Sequence, residues 1–123
     1  MSELSIDMTK TERNLWNAIV SEAIALLKYN AFAAKAMEEG HPEIAQIFQE
    51  IAGAEKIHGI NHLKTVGAIK ASSENLEGVI KGEAKEINAI YPRMIREALD
   101  EDRRDAAQSF SIAMDREKHH LHA

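Results

Sequence analysis

The sequence predicts an all-α protein, a four-helix bundle made of a duplicated helical hairpin. Prolines and glycines are few, and apolar side chains recur at helical spacing with no strand-like alternation. The duplication appears as two nearly identical stretches, Ala45-Gln46-x-Phe48 with Glu55-Lys56-x-His58, and Ala107-Gln108-x-Phe110 with Glu117-Lys118-x-His120. A chain of 123 residues is expected to form a single domain over residues 1–123, with a core of its own.

The first two helices have clear start and stop signals. Thr9 and Glu12 match a capping box, from which a helix of about 28 residues is expected to run until Gly40 stops it. Pro42 suits the first position of a second helix, which is expected to end near Gly67.

The third helix is expected after a short connection at residues 68–72, with Ser72 or Ser73 as its cap, and it should continue to about Leu99. Pro92 lies inside this pattern, where a proline kinks a helix or removes one of its hydrogen bonds. An acidic turn at residues 100–102 leads into the fourth helix, which ends with the chain.

The composition excludes several classes of partner. The net charge of −5 leaves no broad basic surface, so we expect neither nucleic acid nor an anionic membrane as a partner. No apolar run approaches the roughly 20 residues that span a bilayer. Residues 1–7 lack the basic and apolar regions of a signal peptide, so a cytoplasmic location is expected. The absence of cysteine excludes disulfides, thiol catalysis and cysteine-ligated iron within this chain.

Each Glu-x-x-His motif can present a carboxylate and an imidazole to one metal ion, because residues three apart share a helix face. A lone glutamate precedes each motif, Glu22 lying 33 residues before Glu55 and Glu83 lying 34 before Glu117. Apolar residues flank these glutamates, and metal coordination would offset the several kcal/mol that burying unpaired carboxylates costs. The pattern predicts a dinuclear site with six ligands: Glu22, Glu55, His58, Glu83, Glu117 and His120. Carboxylate-rich ligation favours iron or manganese as the metal, although the affinity of such a site would not by itself exclude zinc.

Six short stretches carry a resemblance to a known family. They are Thr11-Glu12-Arg13-Asn14-Leu15, Ser21-Glu22, Ala54-Glu55-Lys56-Ile57-His58, Gly82-Glu83-Ala84-Lys85-Glu86, Tyr91-Pro92 and Glu117-Lys118-His119-His120. In these stretches the sequence resembles the ferritin-like di-iron domain of the rubrerythrins, and the similarity extends over nearly the whole chain. Glu86 is the most specific mark, because generic ferritin-like proteins need only one glutamate on the third helix. Its counterpart in the first half is Ala25.

The resemblance implies a ferritin-like four-helix bundle with two iron ions per site. It also implies a non-haem di-iron peroxidase that reduces hydrogen peroxide to water and protects against oxidative stress. Carried over by motif, Glu55 and Glu117 bridge the irons, and Glu86 is a ligand that replaces His58 on oxidation. The terminal ligands are expected to be Glu22 with His120 and Glu83 with His58.

The source of electrons is also implied by the resemblance. Longer rubrerythrins continue into a rubredoxin domain with four cysteines around one iron, whereas this chain resembles a short form without it. A separate rubredoxin-like protein or flavoprotein is therefore expected to donate the electrons.

The connection between the second and third helices predicts a domain-swapped homodimer. The helix from His58 to Gly67 carries the chain about 13 Å from the site, and the helix from Ser73 to Glu83 needs about 15 Å to return. A connection of five or six residues reaches only ~20 Å when extended. Pairing the first two helices of one chain with the last two of another would remove this strain.

Two tyrosines and one further histidine lie near the proposed ligands. Tyr29 and Tyr91 could each hydrogen-bond a ligand carboxylate, or could equally be core tyrosines. His62 is expected to be exposed or interfacial, because its ring direction differs from that of His58.

Two other functions fit the same ligands. A ferritin-like ferroxidase would oxidise ferrous iron for deposition, but storage needs a closed shell of many subunits, of which so short a chain gives little sign. In a purely structural bundle, the metal would only stabilise the fold and would take part in no reaction.

Overall fold

The computed structural model describes residues 7–121, which are almost entirely helical. The elements are α1 (Lys10–Glu38), α2 (Pro42–Val66), α3 (Ser72–Lys85), a π-helical segment (Glu86–Ile90), α4 (Tyr91–Asp100) and α5 (Arg104–Leu121). Because these described residues contain no strand, the predicted all-α class is confirmed. No helix within this range is long and apolar enough to cross a membrane. Residues 1–6, on which the expected location partly rests, lie outside the described part.

The described chain divides into two compact units between Ile69 and Lys70. We call α1 and α2 the first hairpin, and α3, the π-helical segment, α4 and α5 the second hairpin. The single domain expected over residues 1–123 stays a prediction, and each hairpin is described by itself.

The ends of the first hairpin's helices follow the signals in the sequence. The Thr9 side chain accepts a hydrogen bond of 3.1 Å from the backbone N–H of Glu12, and α1 runs for 29 residues from this cap. Gly40 and Gly67 have φ angles of +76° and +81°, the left-handed conformation that ends a helix and favours glycine. The predicted starts and ends of both helices are therefore confirmed.

The predicted cap of the third helix was wrong. Ala71 occupies the N-cap position, and Ser72 is already the first helical residue. Asn75 stabilises this end instead, since its side chain accepts from the Lys70 N–H at 3.0 Å and donates to the Lys70 carbonyl at 2.9 Å. One amide side chain thus satisfies both a backbone donor and a backbone acceptor of Lys70.

A π-helical segment interrupts the third helix just before Pro92. The Tyr91 N–H donates to the carbonyl of Glu86, five residues back, instead of four as in an α-helix. The predicted disturbance at Pro92 is therefore present, but it takes the form of one wide turn on the N-terminal side of the proline.

This wide turn accommodates a difference between the two copies. Tyr29 follows Glu22 by seven residues, whereas Tyr91 follows Glu83 by eight. A π turn holds one residue more than an α turn, so the tyrosine keeps its place relative to the glutamate despite the extra residue. The insertion is thus absorbed next to the proposed metal ligands.

Both hairpins bury an alanine at two equivalent positions of the repeat. The buried alanines include two pairs of equivalents: Ala36 with Ala98, and Ala45 with Ala107. The aromatic contacts repeat too, because the Tyr29 and Phe48 rings lie 6.5 Å apart and the Tyr91 and Phe110 rings 6.3 Å apart. The duplication seen in the sequence is therefore also a duplication of packing.

Among the described residues, the buried apolar side chains are all alanines, and many large apolar side chains remain exposed. Four examples, two from each hairpin, are Leu27 (71% exposed), Ile57 (61%), Leu76 (61%) and Ile112 (59%). Extensive exposed apolar surface usually marks an interface. Each hairpin therefore carries apolar surface suited to burial in an assembly.

Candidate metal centre

The first hairpin brings three of the predicted ligands together. α1 carries Glu22, and α2 presents Glu55 and His58 three residues apart on one face. One ligand atom from each of the three side chains lies within 4.8 Å of the others. The His58 Nδ1 atom is 4.0 Å from Glu22 Oε1. This spacing suits a group of side chains converging on one cation.

The second hairpin repeats this arrangement and adds a carboxylate. α3 carries Glu83, and His120 on α5 lies with its Nδ1 atom 3.3 Å from Glu83 Oε1. Glu117, one helical turn before His120, shares a side-chain hydrogen bond with Glu86 at the start of the π-helical segment. Four predicted metal ligands therefore lie close together in this hairpin.

Three of these glutamates each bury one oxygen that has no hydrogen-bond partner. The atoms are Oε2 of Glu22, of Glu83 and of Glu117. A buried, unpaired carboxylate oxygen is costly unless something positive compensates it. Carboxylate oxygens and imidazole nitrogens, with no thiolate among them, form a donor set that suits iron or manganese. The residues present in each hairpin therefore fit a metal centre.

The charge crowding is strongest around Glu117. Burial raises the pKa of its carboxyl to about 7, and the hydrogen bond and charge of Glu86 and the charge of Glu83 act in the same direction, while His120 opposes them. Without a cation, this cluster therefore favours a protonated carboxyl at Glu117. A bound metal ion would displace that proton and stabilise the carboxylate.

The two tyrosines have different surroundings. Burial raises the pKa of Tyr91, and the nearby charges of Glu117 and Glu86 raise it further, so Tyr91 retains its phenolic proton beside the ligand cluster. Tyr29 packs in an aromatic cluster, with its ring 6.3 Å from Phe32 in addition to the Phe48 contact. A role for either tyrosine at the metal stays a prediction.

Contacts within the hairpins favour a different pairing of imidazoles with terminal glutamates from the one expected from the sequence. The sequence-based expectation pairs Glu22 with His120 and Glu83 with His58. In the structure, each histidine instead lies beside the lone glutamate of its own hairpin. The reason is that the two helices of a hairpin pack directly on each other, which brings these side chains into contact range.

His62 was missed by the sequence analysis, which expects it to be exposed or interfacial. Its side chain is only 33% exposed, and its Nε2 atom lies 3.3 Å from Glu22 Oε1. The signal was present in the spacing, because His62 follows His58 by four residues and Glu55 by seven. Both intervals place it on the face that carries the motif.

The helical fold and this ligand set define a ferritin-like metal-binding protein. The rubrerythrin family model matches residues 13–123, and the chain belongs to the rubrerythrin family. Membership implies a di-iron centre and an oxidoreductase role. The resemblance stated from the sequence is therefore confirmed at the level of the family.

Three relatives illustrate the similarity. Rubrerythrin-2 of Clostridium acetobutylicum is 29% identical over 95% of this chain and 71% of its own length. The rubrerythrin of Porphyromonas gingivalis is 32% identical over 86% of this chain and 60% of its own length. The nigerythrin of Nitratidesulfovibrio vulgaris is 37% identical over 84% of this chain and 58% of its own length. The chain thus matches about three fifths to seven tenths of each relative.

The raised pKa of Glu117 predicts how the stability of the metal-free protein depends on pH. The folded chain keeps a proton that the unfolded chain loses near the ordinary carboxyl value of 4.5, so this contribution to stability is complete below that pH. It is lost as the pH rises through about 7. We therefore predict that the free energy of unfolding falls between about pH 4.5 and pH 7, and that Glu117→Gln reduces the fall.

Urea unfolding of the metal-free protein, at one protein concentration and several pH values, measures this effect. Glu50→Gln, at an exposed site on α2, is the matched control and should keep the pH dependence of the unchanged protein. Equal pH dependence in Glu117→Gln and the unchanged protein would contradict the prediction.

Proposed function

We propose that the protein is a non-haem di-iron peroxidase that reduces hydrogen peroxide to water. The main support for this proposal is the duplicated ligand set. Each hairpin brings carboxylates and an imidazole close together, and each contains a buried carboxylate oxygen without a hydrogen-bond partner. Family membership supports iron as the metal and redox chemistry as its use.

In this proposal, Glu55 and Glu117, one from each hairpin, would each serve as a ligand to both metal ions. The terminal ligands follow the contacts within the hairpins, so Glu22 goes with His58 and Glu83 with His120. All six side chains are anionic or neutral donors, which lets them balance much of the charge of two divalent ions.

A bound di-ferrous pair would supply the two electrons that cleave the O–O bond of peroxide, which yields two water molecules once two protons are added. Glu86 is a carboxylate in excess of the six-ligand set. In the metal-free cluster it lies within hydrogen-bond distance of Glu117, which places it within reach of the ions. Tyr91 retains its phenolic proton beside these carboxylates and can donate a hydrogen bond that fixes one of them.

The electrons are proposed to come from another protein. The 123 residues contain no cysteine, so they cannot hold a cysteine-ligated iron of their own. A rubredoxin-like protein or a flavoprotein is the class of donor that fits.

We also propose that the active form is a homodimer in which the first hairpin of one chain completes a site with the second hairpin of another. Only residues 67–71 separate α2 from α3, which is the short connection that the swap requires. The large apolar side chains that each hairpin leaves exposed would be buried in such an assembly.

The reaction is tested by loading the protein with ferrous iron without oxygen and then adding one equivalent of peroxide or of dioxygen. We predict about two irons per site, as in di-iron carboxylate bundles, and a fast rise of near-ultraviolet oxo-bridged di-ferric absorbance with peroxide and a much slower one with dioxygen. Faster oxidation by dioxygen would instead indicate a ferroxidase. Iron that is bound but inert towards both oxidants would indicate a structural metal.

The role of Glu86 gives a second prediction. Glu86→Ala should still bind two irons per site, because the six-ligand set remains, but its peroxide turnover should fall by about tenfold or more. The exposed variant Glu50→Ala should behave like the unchanged protein in both measurements. A Glu86→Ala protein that loses iron while keeping its activity per remaining site would refute the assigned role.

The swapped dimer gives a third prediction, based on complementation. Glu55→Ala disables the first hairpin and Glu117→Ala the second, so each variant alone should lack peroxidase activity. If the two variants are unfolded, mixed in equal amounts and refolded, each mixed dimer should contain one site with no substitution.

Random pairing should then restore about a quarter of all sites. In a dimer whose sites each form within one chain, every site would retain one substitution, so no recovery on mixing would contradict the swap. Refolding each variant alone controls for recovery that does not depend on mixing.

A further inference from the structure

His62 makes the closest histidine contact to Glu22 in the first hairpin. Its Nε2 atom lies 3.3 Å from Glu22 Oε1, whereas the Nδ1 atom of the motif histidine, His58, lies 4.0 Å from the same oxygen. The second hairpin differs, because there the motif histidine, His120, itself makes the 3.3 Å contact to its glutamate. The first hairpin thus uses an additional imidazole for a contact that the second makes with its motif histidine.

The two oxygens of Glu22 have different surroundings. Oε1 is within hydrogen-bond distance of His62, while Oε2 is buried and has no partner. The Glu22 side chain is 19% exposed, so little water reaches this carboxylate. A hydrogen bond at Oε1 therefore fixes the carboxylate and leaves Oε2 as the oxygen available to a cation.

We propose that His62 is a positioning residue that orients Glu22 for metal binding by donating its Nε2–H to Oε1. This inference rests on the proposed metal centre. Nε2 carries a hydrogen in one neutral tautomer and in the imidazolium, so the donor does not require a charged ring. The hydrogen bond holds Glu22 in place independently of His58, which leaves the imidazole of His58 free to bind or release an ion.

Three substitutions separate this role from simple packing. His62→Gln keeps an N–H donor at about the same reach, whereas His62→Phe keeps the ring volume and has no donor. His62→Asn keeps an amide, but its side chain is too short to reach Glu22. It replaces His62→Phe as the variant without the hydrogen bond if phenylalanine disturbs the packing of α2. His41→Gln is the matched control, because His41 is exposed in the same hairpin and its side chain makes no capping hydrogen bond.

The probe is Co²⁺, added without oxygen and in competition with a chelator of known affinity. Its visible absorbance reports the number of bound ions, their affinities and their coordination. Circular dichroism and the gel-filtration volume show whether each variant keeps its helices and assembly. None of these measurements depends on peroxidase activity.

We expect the unchanged protein and His41→Gln to bind two cobalt ions per site. His62→Phe and His62→Asn should bind one of the two ions about 10 to 100 times more weakly, the usual effect of removing a partner of a metal ligand. His62→Gln should recover most of that loss and show the cobalt spectrum of the unchanged protein.

Affinities in His62→Phe and His62→Asn equal to that of the unchanged protein would overturn the positioning role while leaving the metal centre intact. A loss in His62→Gln as large as in His62→Phe, with an altered cobalt spectrum, would also overturn it and would indicate direct ligation by His62. If the unchanged protein bound no stoichiometric cobalt, the metal centre itself would be refuted, and this role with it.

Discussion

The structure depends on carboxylate oxygens that are buried without a hydrogen-bond partner. Glu22, Glu83 and Glu117 each bury one such oxygen. A chain that needed only a stable bundle would place alanine or leucine there at no such cost. Burial, helped by the neighbouring carboxylates of Glu86 and Glu83, raises the pKa of Glu117 to about 7, which is the response of a carboxyl group that lacks a compensating positive charge. Metal ions account for the whole pattern at once.

The two hairpins are copies that differ where the proposed chemistry requires a difference. Alanines and aromatic rings repeat from one hairpin to the other, which fixes a common scaffold. The second copy adds one residue beside Glu86, and the π-helical segment absorbs it without moving Tyr91 away from the ligand face. The first copy has alanine at position 25, and its lone glutamate, Glu22, is contacted by His62.

Much of this architecture could be predicted from the sequence, because it depends on local signals. Thr9, Pro42 and Gly67 mark helix ends through their own backbone and side-chain chemistry, and the Glu-x-x-His spacing identifies a helix face. The failures concern interactions between separate elements. The cap formed by Asn75 depends on the path of the preceding loop, and the contact of His62 depends on the side-chain conformation of Glu22 on another helix.

The π-helical segment is an intermediate case. The extra residue is visible in the sequence, because Glu83 and Glu117 are 34 residues apart whereas Glu22 and Glu55 are 33 apart. The sequence does not say which backbone hydrogen bond accommodates this residue. The pairing of imidazoles with terminal glutamates was likewise open to two arrangements in sequence, and only the packing of helices within a hairpin favours one of them.

We propose that the carboxylates of a first and a second hairpin together hold two metal ions. Crystals of the iron-loaded protein, measured on both sides of the iron absorption edge, would show this arrangement because anomalous difference maps locate iron alone. Two iron peaks are expected between Glu55 and Glu117, with Glu22 and His58 at one peak and Glu83 and His120 at the other. Iron peaks that lie away from these side chains, or a single peak held by one hairpin alone, would contradict it.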